Sequence, residues 1–237
     1  MIRVRCIGVF AGLAKDFHVI ALDLRGHGLS GKPHDSAQYG PEMARDVVRL
    51  MDHLSISKAH IVGYSLGSEI IAMLLANDPD RVLSATMGAG VGRLRKRDTD
   101  DQHMEEEALE YLKFGVSPKL FLEETPEGTP DPTDEQLRAL AAVSLADPGR
   151  DRQALAALSR ARPSRLVAPE KIATTRMPML CIAGSLDPEL PELNAMKNLR
   201  SGVTVTVIDG ATHSGPSRAL DRKEFLEALR AFLLGQK

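Results

Sequence analysis

Two hydrophobic rhythms alternate along the chain. Short, nearly continuous apolar runs recur at His18–Asp23, Ala59–Gly63, Val82–Met87, Pro178–Ala183 and Val203–Ile208. Runs of this length, bounded by Gly, Pro or charged turns, predict strands, and His18–Asp23 reads as one buried on both faces, as in a parallel sheet. Between them, apolar residues repeat at helical spacing. Met43, Val47, Leu50, Met51 and Leu54 give one stripe to a helix that Gly40-Pro41 opens with Pro at its first position. Ile70, Ile71, Met73 and Leu74 bury a second helix, which runs from Leu66 to a stop at Asn77-Asp78-Pro79-Asp80. A last helix is predicted from Asp221, with Glu224 at capping-box spacing and Phe225, Leu226, Leu229, Phe232 and Leu233 as its buried face. Strand–helix alternation of this kind predicts an α/β, doubly wound, mostly parallel sheet.

Residues 92–171 break the rhythm. A basic cluster at Arg93–Arg97 precedes an acidic stretch from Asp98 to Glu110, a Pro-rich loop from Thr125 to Pro132, and Ala/Leu-rich helical stretches. No strand pattern occurs there, so this part reads as a helical insertion covering one edge of the sheet, its charges a solvated helix face. The predicted organisation is a core of residues 1–91 and 172–237 with residues 92–171 inserted.

Composition narrows the classes. Thirty Lys and Arg against 32 Asp and Glu leave a formal charge of −2, with no basic footprint for nucleic acid or an anionic membrane. No Trp, three Tyr and six Phe argue against base-stacking platforms. Cys6 and Cys181 form no CxxC pair and read as buried apolar fillers in a reduced, cytoplasmic setting. No apolar run approaches the ~18 residues of a spanning helix, and the N-terminus lacks a signal-peptide pattern. A soluble protein of the cytoplasm is expected; a homodimer is left open.

The sharpest feature is Gly63-Tyr64-Ser65-Leu66-Gly67, set between a predicted strand and a predicted helix. This GxSxG pattern, in that strand–turn–helix context, is the signature of a nucleophile elbow. The turn is expected to be tight enough that Cβ atoms at Gly63 and Gly67 would collide with backbone, and it projects the Ser65 hydroxyl from the sheet rim. A serine needs a base oriented by a third group. The strand ending at Ala183 leads into Gly184-Ser185-Leu186-Asp187, and the strand ending at Ile208 leads into Asp209-Gly210-Ala211-Thr212-His213. Both loops leave carboxyl ends of strands, where open α/β sheets place their sites. Among rivals, Asp209 reads as structural, His18 and His60 as satisfied core residues, His53 as exposed, and His27 as a residue near the same rim.

The run His18–Ser30 with its Arg25-Gly26-His27-Gly28 turn, the elbow, Gly184–Asp187 and Gly210–His213 together resemble the α/β-hydrolase superfamily, and more narrowly its cap-bearing serine hydrolases and esterases. The resemblance covers nearly the whole chain. It implies Ser65 as nucleophile, His213 as base and Asp187 as acid, with the Leu66 N–H as one oxyanion donor and the insertion as a cap. Ser at the elbow disfavours the epoxide hydrolase and haloalkane dehalogenase branches. One departure stands out. Family members begin with further strands and carry an HG-type loop that supplies a second oxyanion N–H. Here a helical segment, Gly8–Ala14, comes almost at once, and the first strands are missing. Either strands 18–23 and 59–63 then pair directly or Ile2–Ile7 fills the gap, and Ile7–Phe10 are the nearest source of a second donor.

The expected function is hydrolysis of a small or medium, partly apolar carboxylic ester through an acyl-enzyme, with no metal or cofactor required. The alternative is a catalytically impaired binding protein with an incomplete oxyanion hole.

Overall fold

The computed structural model describes residues 7–96, 100–126 and 128–236. Four strands, β1 (Ala59–Tyr64), β2 (Val82–Gly88), β3 (Met179–Gly184) and β4 (Val203–Ile208), form one parallel sheet in the order β1-β2-β3-β4. β2 and β3, which have neighbours on both sides, are almost wholly buried, as their apolar runs predict. Side chains alternate across β3. Met179, Cys181 and Ala183 pack against α3 (Leu66–Asn77), α8 (Pro169–Ala173) and α9 (Leu190–Leu199) through Ile70, Ile172, Leu193 and Met196. Leu180 and Ile182 face the other way, onto Leu13 of α1 (Ile7–Leu13) and Phe225, Leu229 and Leu233 of α10 (Lys223–Leu234). Helices on both faces make the sheet doubly wound, and the period of two along a strand dictates the two cores.

α2 (Pro41–His53) begins with Pro at its first turn, as predicted, and buries Met43 and Met51. Its stripe ends early: Leu54 lies past the helix and is 43% exposed. Asp221 does not start the last helix. It closes a 3-10 turn, Ala219–Asp221, and pairs with Arg218 at 2.7 Å, so no capping box forms and α10 begins two residues later.

The largest departure is at His18–Asp23. This run joins no ladder, and Ile20 is 41% exposed. A strand needs a neighbour's carbonyls and amides, and no described strand lies beside it, so β1 ends the sheet with Val62 40% exposed. Direct pairing of 18–23 with 59–63 is therefore absent. His18 is exposed rather than a core residue, while Phe17 and Val19 do pack under the α10 face. Ile7 opens α1; the expectations for Ile2–Cys6 as a strand and for Cys6 as a filler lie outside the described residues. Cys181 is buried, and burial pushes its thiol up to about 12.

Between β2 and β3 the described α-helices are α4 (Asp100–Phe114), α5 (Pro118–Glu123), α6 (Asp134–Leu145), α7 (Arg152–Arg160) and α8, joined by loops, with an isolated parallel bridge between Arg93 and Leu166. The charges are not all solvated. Arg160 bonds Glu105 at 2.6 and 2.9 Å, and Arg162 bonds Glu107 with both side chains buried, so α4 is tied to α7 and the turn that follows it. Among the described residues no helix is long and apolar enough to cross a membrane.

Candidate active site

β1 delivers the chain to Ser65, whose φ of 51° and ψ of −113° lie in a region L-residues rarely adopt. Its N–H donates to the Gly88 carbonyl on β2 at 2.8 Å, and this bond helps hold the strained turn to the sheet. A Cβ on Gly63 would stand 2.5 Å from the Gly67 carbonyl carbon and oxygen. At Gly67 itself an added Cβ would meet nothing within 4 Å, so the steric demand falls on the first glycine alone and not on both. Leu66 is the first residue of α3, where an amide has no carbonyl one turn back to bond. Its N–H belongs to the positive end of the helix, beside the serine oxygen.

The β3–α9 loop carries Asp187 and the β4–α10 connection carries His213. Backbone bonds lock the two loops together: Ser185 N–H donates to Ile208 at 2.9 Å and Leu186 N–H to Ala211 at 3.0 Å. Gly184 is needed here because a Cβ would overlap the Ala211 carbonyl oxygen. His213 Nδ1 lies 3.0 Å from Asp187 Oδ1, and His213 Nε2 lies 3.0 Å from Ser65 Oγ. Asp187 Oδ1 also accepts the Glu189 N–H at 2.9 Å, and its side chain is 0% exposed. Assigning the Nδ1 proton toward the carboxylate leaves Nε2 as an acceptor for the serine hydroxyl. Burial alone would lower the His213 pKa. The Asp187 hydrogen bond and the charges of Glu124, Asp187 and Glu189 outweigh it and hold the imidazole above its ordinary value.

Tyr64, the variable residue of the elbow, was not singled out by the sequence. Its hydroxyl donates to the His213 carbonyl at 2.7 Å, and its ring stands between His213 and Phe225. Burial pushes its own pKa well up, so it remains a neutral donor. The rivals lie elsewhere. Asp209 accepts from Ser185 at 3.3 Å in an exposed turn, and His60 bonds Ser84 at 2.8 Å. His53 is exposed, as expected. His27 makes a bridge to Arg150 and does not line the site, because its turn faces the insertion. Ile7–Phe10 are helical on α10 and also stay away from it, so they supply no second oxyanion donor there.

A cavity of about 290 Å³ opens on Ser65 and His213. Val91, Leu94, Leu120 and Pro188 give it apolar surface. Charged residues line it as well: Glu69, Glu189 and Glu192, and Arg93 and Arg95 just after β2. The insertion adds Arg162 and Glu124, and Glu124 Oε1 comes within 3.6 Å of His213 Nε2. No sequence signal marked Glu124, since only the path of α5 brings it to the imidazole. Among the described residues no group of three or more His, Cys, Asp or Glu is placed to hold a metal ion.

Comparison with known proteins gives three kinds of match. The family model described as alpha/beta hydrolase fold matches residues 3–216. Among curated proteins, the chain is 42% identical over 80 residues to the dihydrolipoyllysine-residue acetyltransferase component of an acetoin cleaving system from Cupriavidus necator, covering 34% of this chain and 21% of that one. It is 28% identical over 179 residues to 3-oxoadipate enol-lactonase 2 of Acinetobacter baylyi, covering 73% and 62%. The matches thus span less than two thirds of either relative. Among solved structures, a thermophilic esterase from Thermogutta terrifontis superposes with a TM-score of 0.73 at 21% identity, covering 96% of this chain and 85% of that one.

Proposed function

The chain belongs to the α/β hydrolase fold family, and we propose that it hydrolyses carboxylic esters or related acyl substrates through an acyl-enzyme on Ser65. The single observation that carries this reading is the relay of two 3.0 Å contacts from Ser65 Oγ through the His213 ring to Asp187. As Ser65 Oγ bonds to the substrate carbonyl carbon, its proton passes to His213 Nε2 and the carbonyl oxygen takes the negative charge, held by the Leu66 N–H. The tetrahedral adduct collapses, the bond to the alcohol oxygen breaks, and His213 gives that oxygen its proton. Water then attacks the acyl-enzyme with His213 as base, releasing the acid and restoring Ser65. Asp187 fixes the imidazole tautomer and stabilises the imidazolium. The helical segment 92–171 acts as a cap that bounds the cavity. An esterase or lactonase assignment accords with the names of the Acinetobacter lactonase and the Thermogutta esterase.

One observation favours a second reading, a catalytically impaired binding protein: residues 7–10 do not line the cavity, leaving one assigned oxyanion donor. Loss of one such donor costs about 10²–10³ in turnover. Hydrolysis of 4-nitrophenyl butyrate, compared between wild type and Ser65→Ala, tests the two. Turnover lost in the variant supports the hydrolase. Turnover equal in both, with no labelling of Ser65 by a fluorophosphonate, leaves only binding.

A further inference from the structure

His213 sits in the long connection from β4 to α10, where Gly210 and Gly215 take the left-handed conformation with φ of 64° and 78°. Its neighbours are bonded within that connection: Thr212 N–H donates to Ser217 at 3.0 Å, Ala219 N–H donates to Thr212 at 2.9 Å, and the Thr212 hydroxyl donates to Ser214 at 2.8 Å. Bonds of this kind shape the loop but travel with it. Just upstream, Ala211 accepts the Leu186 N–H at 3.0 Å, which fixes the connection to the Asp187 loop and not to Ser65. The bond to the His213 carbonyl is of another kind. Its donor, the Tyr64 hydroxyl at 2.7 Å, comes from the last residue of β1, one peptide before Ser65. Covalent bonds and two hydrogen bonds thus close a ring. It runs from Ser65 back to Tyr64, along that side chain to the His213 carbonyl, through the imidazole, and from Nε2 to Ser65 Oγ at 3.0 Å. Tyr64 itself has little freedom, since a phenol side chain turns about two torsions only. It packs in the core that faces α10, edge-on to Phe225 with ring centroids 6.0 Å apart. Gly88 leaves it room, because a Cβ there would stand 2.7 Å from Tyr64 Cδ2, and the Gly88 carbonyl also accepts the Ser65 N–H. Tyr64 does not line the cavity, so it acts through the base and not on substrate.

We propose that Tyr64 is the positioning residue of the base: its hydroxyl sets where the His213 backbone stands relative to Ser65, and with it the distance the proton crosses. The proposal rests on the acyl-enzyme reading above and deepens it. Asp187 fixes the imidazole from its Nδ1 side, and Tyr64 fixes its reach to the serine from the backbone side. No proton passes through the phenol, which stays a donor to the carbonyl throughout.

Tyr64→Phe removes the hydroxyl and keeps the ring. It should lower kcat on 4-nitrophenyl butyrate about tenfold, part of the ~10² that an ångström of misplacement costs, and leave KM within about twofold. Labelling of Ser65 by a fluorophosphonate, which needs the same base, should slow by a similar factor. Tyr64→4-aminophenylalanine keeps the shape and supplies an N–H donor, so it should recover most of the loss; a role in packing alone would give no such recovery. Leu229→Val, a change in the same core away from the relay, should lower the urea midpoint at least as far as Tyr64→Phe and leave kcat within about twofold. A kcat and labelling rate unchanged in Tyr64→Phe, a loss that the amino variant does not restore, or an equal loss in Leu229→Val overturns the inference alone. No labelling of Ser65 and no hydrolysis of 4-nitrophenyl butyrate by the wild type removes the hydrolase reading, and this inference with it.

Discussion

The sheet rim and the helical segment 92–171 both bring side chains to one cavity but hold them by different means. On the rim, position comes from backbone. Ser65 is bonded through its amide to β2, Gly184 admits the Ala211 carbonyl, and the Asp187 and His213 loops share hydrogen bonds directly above paired strands. Residues 92–171 meet the core through apolar packing of Ala157, Leu158, Ala161 and Val167 and through polar side-chain pairs: Arg165 to Glu69 at 2.5 Å, His34 to Asp151 at 3.0 Å, and Arg160 to Glu105 and Arg162 to Glu107 within the segment. The difference teaches that the relay and the far wall of the cavity are held independently. Groups that form the relay sit where strand ends put them, whereas the groups that reach the cavity from residues 92–171 depend on how side-chain packing and ion pairs seat that segment.

Substitutions sharpen that contrast, beginning with the rim. Ser65→Ala should lower kcat by about 10⁶ with an unchanged urea midpoint, measured on 4-nitrophenyl butyrate; retained activity would detach the rim from the chemistry. Asp187→Asn should cost about 10⁴, because the amide supports the wrong imidazole tautomer. In the insertion, Glu107→Gln should reduce folding stability by about 3–5 kcal/mol in urea unfolding, since it breaks a buried pair. Replacing both partners, with Glu107→Leu and Arg162→Met, should recover most of that loss, and the half-exposed Glu105→Gln should lose little. Equal losses at 105 and 107 would break the contrast between buried and solvated charge. Gly63→Ala should destabilise by about 1–3 kcal/mol, through overlap with the Gly67 backbone, while Gly67→Ala should be milder.

The smallest effect is a shift in pH dependence. His213 must be neutral to accept the Ser65 proton, so kcat/KM should rise with pH through the imidazole pKa. That midpoint should lie above the ordinary value of about 6.5, because Asp187, Glu124 and Glu189 favour the charged ring. Glu124→Gln should move it to lower pH, and a midpoint unmoved in the variant would mean that the insertion does not reach the base electrostatically.

Much of this was legible along the chain because period and punctuation are local. The apolar runs of β1 to β4, the Pro at the start of α2 and the strand–Ser65–helix turn are each set by neighbours a few residues apart. Asp187 and His213 were legible because parallel strands end on one rim. His18–Asp23 has a strand's composition but depends on a partner edge, which its own residues cannot specify. Glu107 belongs to an acidic, helical stretch whose pattern predicts solvent, and Glu124, at the end of a later short helix, carries no pattern of its own. The burial of Glu107 against Arg162 and the reach of Glu124 to His213 follow from helix packing across dozens of residues, and no local spacing encodes it. Tyr64 lay inside the motif, but its bond to the His213 carbonyl spans almost the whole length from elbow to base loop.

The most direct test is peptide-resolved mass spectrometry after brief exposure to a fluorophosphonate, with His213→Ala beside the wild type. The account predicts an adduct on the Ser65 peptide of the wild type, forming at least a hundredfold more slowly in the variant, about the minimum share of general-base catalysis. An adduct on Ser65 at equal rates in both, or one on another residue only, would contradict it.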